Sequence, residues 1–353
     1  MAETTLVEVL TDIADAIREK EGSTDLIPVS EMESRIQALS GAGFPNGTEW
    51  TQSNVTSGTF RSVHNANGLW VAASDDAGLY YSTDGKTWTQ SNITSGDFNC
   101  ASNANGLWVA ASRSDTGLYY SADGMTWTQS NITSGVFYYP HNANGIWVAG
   151  GSNVGLYYSA DGMTWTQSNI TSGVYTRVYY ANGIWVAGRS GSKLYYSLDG
   201  ISWHASSGSG STNNVIRNAN GIWVVASIGL YYSTDGQTWT QSNVTSGTFR
   251  SVHNANGLWV AAGKGLYYST DGMTWTQSNI TSGTYYSVHN ANGIWVAGSY
   301  TSGLYYSTDG MTWTQSNITS GGFLTDSVCN TNGIWVAASD ETGLYYSLTW
   351  APN

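Results

Sequence analysis

The stretch Asn67-Gly68-Leu69-Trp70-Val71-Ala72-Ala73-Ser74 leads, after a short connection, to Leu79-Tyr80-Tyr81-Ser82-Thr83-Asp84-Gly85-Lys86-Thr87-Trp88. Each apolar, aromatic run adjoins an Asn-Gly or Asp-Gly pair, the strongest short-range signals for a tight hairpin. Aromatic and β-branched residues cut by such pairs read as strands. Working outward predicts four of them: A over about 59–64, B over 69–73, C over 79–82 and D over 87–91. Strand B is apolar on both faces, as a strand sandwiched between neighbouring sheets should be. Strand D alternates with polar residues, which suits an outer edge.

This unit recurs. Asn-Gly-Leu/Ile-Trp occurs eight times, its Trp at 70, 108, 147, 185, 223, 259, 295 and 335. Ser-x-Asp-Gly-x-Thr/Ser-Trp occurs seven times, its Trp at 88, 127, 165, 203, 239, 275 and 313; with Trp50 and Trp350 the two series account for all 17 Trp. The period of 36–40 residues fits helical solenoids or propeller blades, and the strand composition selects the blades. Four-stranded units repeated radially make a β-propeller. The second motif resembles the Asp box of sialidases and many other propellers, with one residue fewer between Asp and Trp. The resemblance covers residues 48–350 and implies a box at each C–D turn. Asp84, Asp123, Asp161, Asp199, Asp235, Asp271 and Asp309 are accordingly read as turn-building residues.

The count predicts eight blades. The last copy, Tyr345-Tyr346-Ser347-Leu348-Thr349-Trp350, lacks Asp-Gly and its D strand, whereas Glu49-Trp50-Thr51-Gln52-Ser53-Asn54 is a D sequence with no A, B or C before it. The first strand is therefore expected to complete blade eight, removing two exposed sheet edges. The predicted class is all-β: an eight-bladed propeller over 44–353, closed by its N-terminal strand, behind a small helical segment over 1–43.

Comparing the copies with one another locates a candidate site. From box Trp to the next Asn-Gly-x-Trp the spacing is 20 residues in seven cases and 22 in the last; from there to the next box it varies between 16 and 19. Length and identity thus vary in the B–C connections, and identity varies again in strand A. Up-and-down strands place B–C and D–A connections on one face, the top, with strand A along the channel. The candidates there are Arg61, Asp75, Asp76, Asn99, Arg113, Asp115, Tyr138, Asn153, Arg189, Lys193, Arg250, Lys264, Tyr286, Tyr300, Asp326, Asp340 and Glu341. Loops on a rigid scaffold commonly carry recognition, although drift under weak constraint produces the same pattern. Asp326 aligns with Arg61, and Asp75, Asp76, Asp326, Asp340 and Glu341 are expected to form one acidic patch where blades 1 and 8 meet.

Residues 1–43 differ in composition. They hold 12 of the 36 charges and neither Trp nor Tyr. Thr5 with Glu8, and Ser30 with Glu33, match capping boxes; Leu6, Leu10, Ile13 and Ile17 share a helical face. Two short helices call for a partner: self-association, a larger assembly or the propeller base. Leu10-Thr11-Asp12-Ile13-Ala14-Asp15-Ala16-Ile17-Arg18-Glu19-Lys20, then Gly22-Ser23-Thr24-Asp25-Leu26-Ile27-Pro28, resembles the N-terminal module of phage and prophage tail-associated structural proteins. What that resemblance implies is attachment to other phage tail proteins and assembly into a virion from the bacterial cytoplasm.

Charge and motif chemistry narrow the function. Lys and Arg number 12 against 24 Asp and Glu, which argues against nucleic-acid and anionic-membrane partners. No apolar run approaches a membrane span, and Met1–Glu8 lacks a signal-peptide pattern. Two Cys make no disulfide framework; Cys100 and Cys329 are expected as free thiols. His64, His141, His253 and His289 repeat one strand-A position on separate blades, so no metal site is predicted, and no cofactor motif is present. Asn-Val/Ile-Thr recurs seven times (at Asn54, Asn92, Asn131, Asn169, Asn243, Asn279 and Asn317) and reads as the D–A corner rather than as a glycosylation signal. The sialidase constellation of an arginine cluster, a Tyr/Glu pair and an acid cannot be mapped. The expectation is a non-enzymatic tail adhesin binding a host-surface glycan or protein. A passive tail component and a glycoside hydrolase are the alternatives.

Overall fold

The computed structural model describes residues 47–191, 193–208, 215–331 and 333–348. The helices expected within 1–43, and the boundary after them, lie outside the described residues.

Eight four-stranded antiparallel sheets form the ring. Blade 1 comprises Phe60–Ala66 (A), Leu69–Ser74 (B), Leu79–Ser82 (C) and Thr89–Gln90 (D). Blades 2 to 7 open with A strands Phe98–Ala104, Phe137–Ala143, Tyr175–Ala181, Val215–Ala219, Ser251–Ala255 and Tyr285–Ala291. Blade 8 joins Phe323–Thr331, Ile334–Ser339 and Leu344–Leu348 to Thr51–Gln52, whose residues pair as Thr51 with Tyr346 and Gln52 with Tyr345. The ring therefore closes as the repeat count predicts.

The A–B connection is the expected two-residue hairpin: Asn67 (φ 53°) and Gly68 (φ 81°) both take left-handed angles, as a type I′ turn requires. The C–D connection is not. It spans residues 83–88, so strand D is shorter than predicted. Asp84 Oδ1 accepts the Lys86 and Thr87 N–H groups at 2.8 and 2.7 Å, while Ser82 Oγ accepts the Gly85 N–H at 2.9 Å. The carboxylate wraps the turn in place of a backbone ladder. The same bonds recur at Asp123, Asp161, Asp199, Asp235, Asp271 and Asp309. Partial burial pushes these carboxylates up, but the donated N–H groups prevail and each sits below its usual range.

The core lies between blades. Phe60, Val63, Trp70, Ala72 and Trp88 of blade 1 pack against Val336, Ala338 and Leu344 of blade 8, all buried. A Trp buries roughly 200 Å², on the order of 5 kcal/mol at about 25 cal/mol/Å², and two series of them line successive seams. Each seam also carries a polar fastening. Asn54 Oδ1 accepts the Trp88 N–H at 2.8 Å and Asn54 Nδ2 donates to the Trp88 carbonyl at 2.9 Å. Asn92, Asn131, Asn169, Asn243, Asn279 and Asn317 do the same to the box Trp of the next blade, Asn317 fastening Trp50. The recurrent Asn-x-Thr is thus more than a corner: its Asn holds neighbouring blades together. At the seam between blades 4 and 5, Ser207 occupies the Asn position and only its backbone carbonyl takes the Trp239 N–H, at 3.1 Å.

Among the described residues six B–C turns bridge to a D–A segment, as Ala77 does to Gly96 and Thr342 to Gly58, so both connection types share one face. A Cβ on Gly78 (φ 75°) would strike the Ile93 carbonyl; glycine is required where these two connections touch. Gly47 sits against Trp335 Nε1 as Gly85 does against Trp70 Nε1. The chain therefore enters the ring at the C–D end, opposite the B–C face.

Candidate binding site at the mouth of the central channel

The eight A strands line the axis, and their side chains set its width. Near the B–C face they enclose a cavity of about 240 Å³ to which every blade contributes. Six predicted residues line it: Arg61, Asn99, Arg113, Tyr138, Arg250 and Tyr286. Tyr139, Thr176, Arg177, Val215, Leu324 and Thr325 complete it, so no Asp, Glu or His is among the lining residues. Below it is a second cavity of about 370 Å³ that also contains Tyr139 and Arg177 and reaches His64, His141, Arg217, His253, His289 and Asp326.

Strand A carries a bulge near its start. In blade 1, Phe60 pairs with Ser74 and Ser62 with Ala73, leaving Arg61 unpaired. Such a bulge re-aims a side chain; here it presents Arg61 to the cavity. Arg61 forms a two-pronged ion pair with Asp75, and Arg113 Nη1 reaches the same carboxylate at 3.2 Å. Arg250 lies 4.7 Å above the Tyr286 ring, and Tyr286 packs on Tyr300 at 5.2 Å. Arg250 Nε and Thr176 Oγ1 are buried without a hydrogen-bond partner.

Blade 8 departs from this pattern. Its two extra residues enlarge the bulge, with pairing jumping from Phe323–Ser339 to Val328–Ala337. Asp326 takes a left-handed backbone (φ 60°), a strained state for a non-glycine residue. Its carboxylate crosses the channel to blade 4, accepting from Arg177 Nη1 at 2.5 Å and lying 3.6 Å from Arg217. Arg177 in turn covers the Tyr139 ring at 3.1 Å. This group separates the two cavities. Burial would raise the Asp326 pKa, yet Arg177 and Arg217 outweigh it and the net displacement is downward. Burial pushes the Tyr139 phenol up to about 12, with Arg177 opposing.

Two expectations are corrected here. Asp326 does not stand in the Arg61 position, because the two extra residues carry it down into the channel. The expected acidic patch loses Asp326, while Asp76 lies beside Gly58, which bridges Thr342, and Asp340 acts on Arg61, the partner of Asp75. Asp75 is taken by arginines, Asp326 lies in the channel, and Asp76 accepts a 2.7 Å bond from Ser74 in its own turn. Burial and then Glu341 raise the Asp340 pKa, with Arg61 opposing.

The other candidates stay in the B–C connections, off the cavity wall. Asp115 (φ 62°) accepts the Gly135 N–H, and Arg189 lies over Tyr175 and bonds the Tyr195 hydroxyl at 3.3 Å. Asn153, Lys193, Lys264 and Glu341 are exposed. His253 and His289 adjoin at 4.7 Å, closer than separate blades suggested. His64, His141, His253 and His289 all border the lower cavity, and each meets the Trp of another blade edge-on, at 5.8 Å. Cys100 and Cys329 are free thiols, burial pushing them up to about 12 and about 11. Arg177, Tyr139 and Thr176 were missed. A signal existed for the first two: their strand position holds Ser62, Cys100, Ser251, Ser287 and Ser327 in other blades.

No protein-family model matches the sequence, and no curated protein matches it. Among solved structures the chain is similar to the computationally designed Ika8 protein (TM-score 0.69, 8% identity, covering 84% of this chain and 98% of that one). It is also similar to Sqt1 of Saccharomyces cerevisiae (TM-score 0.62, 9% identity, 86% and 100%). A third likeness is to the GH74 enzyme of Niastella koreensis (TM-score 0.52, 21% identity, 81% of this chain and 48% of that one). At such identities what these proteins share with this chain is the propeller fold.

Proposed function

We propose that this protein is a non-enzymatic receptor-binding component of a phage tail, attached to other tail proteins through residues 1–43 and reading a host-surface ligand, a glycan, at the channel mouth. The observation that carries the reading is convergence. Blades alike in their Trp, Asn-Gly and Asp-Gly positions differ at Arg61, Asn99, Tyr138, Arg250 and Tyr286, and these residues line one cavity. That cavity opens on the face opposite to where the chain enters the ring, which suits an anchor at one end and a reader at the other. Tyrosine rings and arginine donors suit a polyol. Hydrolysis of a glycan needs two carboxylates about 5–10 Å apart, and the lining residues include none. Several copies on one particle would add avidity.

The test is adsorption of the labelled full chain to a panel of bacterial strains. A Tyr138→Ala/Tyr286→Ala variant that keeps its melting temperature should lose binding to any strain the parent adsorbs to. Undiminished adsorption by that variant refutes the assignment of the mouth, and adsorption to no strain favours a passive tail component.

A further inference from the structure

We infer that the mouth is an anion site, and that its ligand is a sugar bearing a carboxylate or a phosphate. This rests on the recognition reading above and names the chemistry of what is recognised. Four of the cations in the propeller, Arg61, Arg113, Arg177 and Arg250, line the upper cavity, and no carboxylate does. Two carboxylates lie within ion-pair range of them, Asp75 and Asp326. With Asp340 added, which acts on Arg61 from farther off, four guanidinium groups against three carboxylates still leave a local excess of positive charge. It stands on the axis of a chain whose net charge is −12, with all seven box Asp at the other end of the blades.

Arg250 carries much of that excess. Among the described residues it has no carboxylate partner, and its Nε is buried without an acceptor while its guanidinium is held over Tyr286. Thr176 Oγ1, which lines the same cavity from blade 4, is also buried and unpartnered. An Arg250 N–H and a Thr176 hydroxyl withdrawn from water without acceptors complement a group with several lone pairs and a negative charge. Convergence inside protein walls strengthens the attraction, because low-dielectric surroundings focus the field. Size limits the rest of the ligand. The cavity of about 240 Å³ lies below the roughly 300–1,000 Å³ of drug-sized sites. It suits one acidic sugar ring rather than an oligosaccharide, with Tyr138 and Tyr286 as its apolar walls.

Calorimetric titration of the full chain with glucuronate, glucose 6-phosphate, inorganic phosphate and glucose tests this. At least one acidic sugar should bind, about tenfold or more tighter than glucose, and weaken as salt rises from about 0.05 to about 0.5 M. Glucuronate against glucose 6-phosphate tells which anion is preferred. Inorganic phosphate binding as tightly as glucose 6-phosphate would assign the affinity to the anion alone and overturn the sugar. Arg250→Gln, with an unchanged melting temperature, should lose about tenfold for the acids and little for glucose, and Arg250→Lys should recover part of the loss. Glucose binding as tightly as either acid, no acid binding at all, or indifference to Arg250→Gln overturns the inference. Its failure is separable from that of the receptor reading. Acids binding to a protein that adsorbs to no cell would leave the anion site standing alone. Adsorption through the mouth that acidic sugars compete for no better than glucose would do the reverse.

Discussion

Asn317→Ala tests the fastening that closes the ring. In the native protein the Asn317 side chain takes the Trp50 N–H at 2.8 Å and donates to the Trp50 carbonyl at 3.0 Å. Trp50 is 4% exposed, so water replaces the lost partners poorly. Two hydrogen bonds at about 1 kcal/mol each, with up to about 1 kcal/mol more for the stranded N–H, give a loss of about 2–3 kcal/mol. An unfolding entropy of about 2.1 cal/mol/K per residue over about 300 residues is about 0.6 kcal/mol/K, so the melting temperature should fall by about 3–5 °C. Differential scanning calorimetry reads this directly. Asn131→Ala, which removes the same pair of bonds from Trp165, should fall by a similar amount. Lys86→Ala, which removes no side-chain hydrogen bond, should stay within about 1 °C. If Asn317→Ala behaves like Lys86→Ala, the side-chain bonds are replaced by water and the seams are held by tryptophan packing alone.

Asp326→Ala should cost about 3–5 kcal/mol by leaving Arg177 buried without its carboxylate, and the double variant Asp326→Ala/Arg177→Met should melt several degrees higher than the single one; equal melting of the two contradicts the latch. Stability should also fall on acidification. Burial, helped by Arg217, holds His141 down to about 4, and burial first, with Arg217 added, holds His289 at about 4, against the ordinary 6.5. The fold therefore disfavours the charged rings. Their contribution is complete above about pH 6.5, is lost progressively down to about pH 4 and is level below that. The box carboxylates and Asp326, held low, give way only at more acid pH. Melting temperatures at pH 7, 5 and 4 check the slope, which His141→Phe should flatten; a rise on acidification would contradict it.

The fold was legible because it is written in spacings. Trp at a period near 38, Asn-Gly at one turn and Asp-Gly at the next fix blade number, strand order and closure, since each is a local pattern repeated. The site was legible only in part. The excess of two residues before Trp335 is visible in the sequence, but not that it would drop Asp326 onto Arg177, because that contact links residues 149 apart across the axis. Arg177 stayed hidden for the same reason: a repeat comparison shows which positions differ, not which face each other. The Asn fastenings were obscured differently. All seven copies are alike, and their partners lie 32–35 residues on, or 267 away at the closure, so uniformity looked like a mere corner.

The pairing of Thr51 with Tyr346 also fixes an order of events in synthesis. Blades 1 to 7 are contiguous in the chain and can each condense as they leave the ribosome. Blade 8 cannot, because one of its strands is made first and the other three last. The opening strand must wait, its pairing edge free, until Leu344–Leu348 has been translated. Completion of the toroid is therefore a slow, long-range step, and a truncated product retains two sticky edges that a finished one lacks.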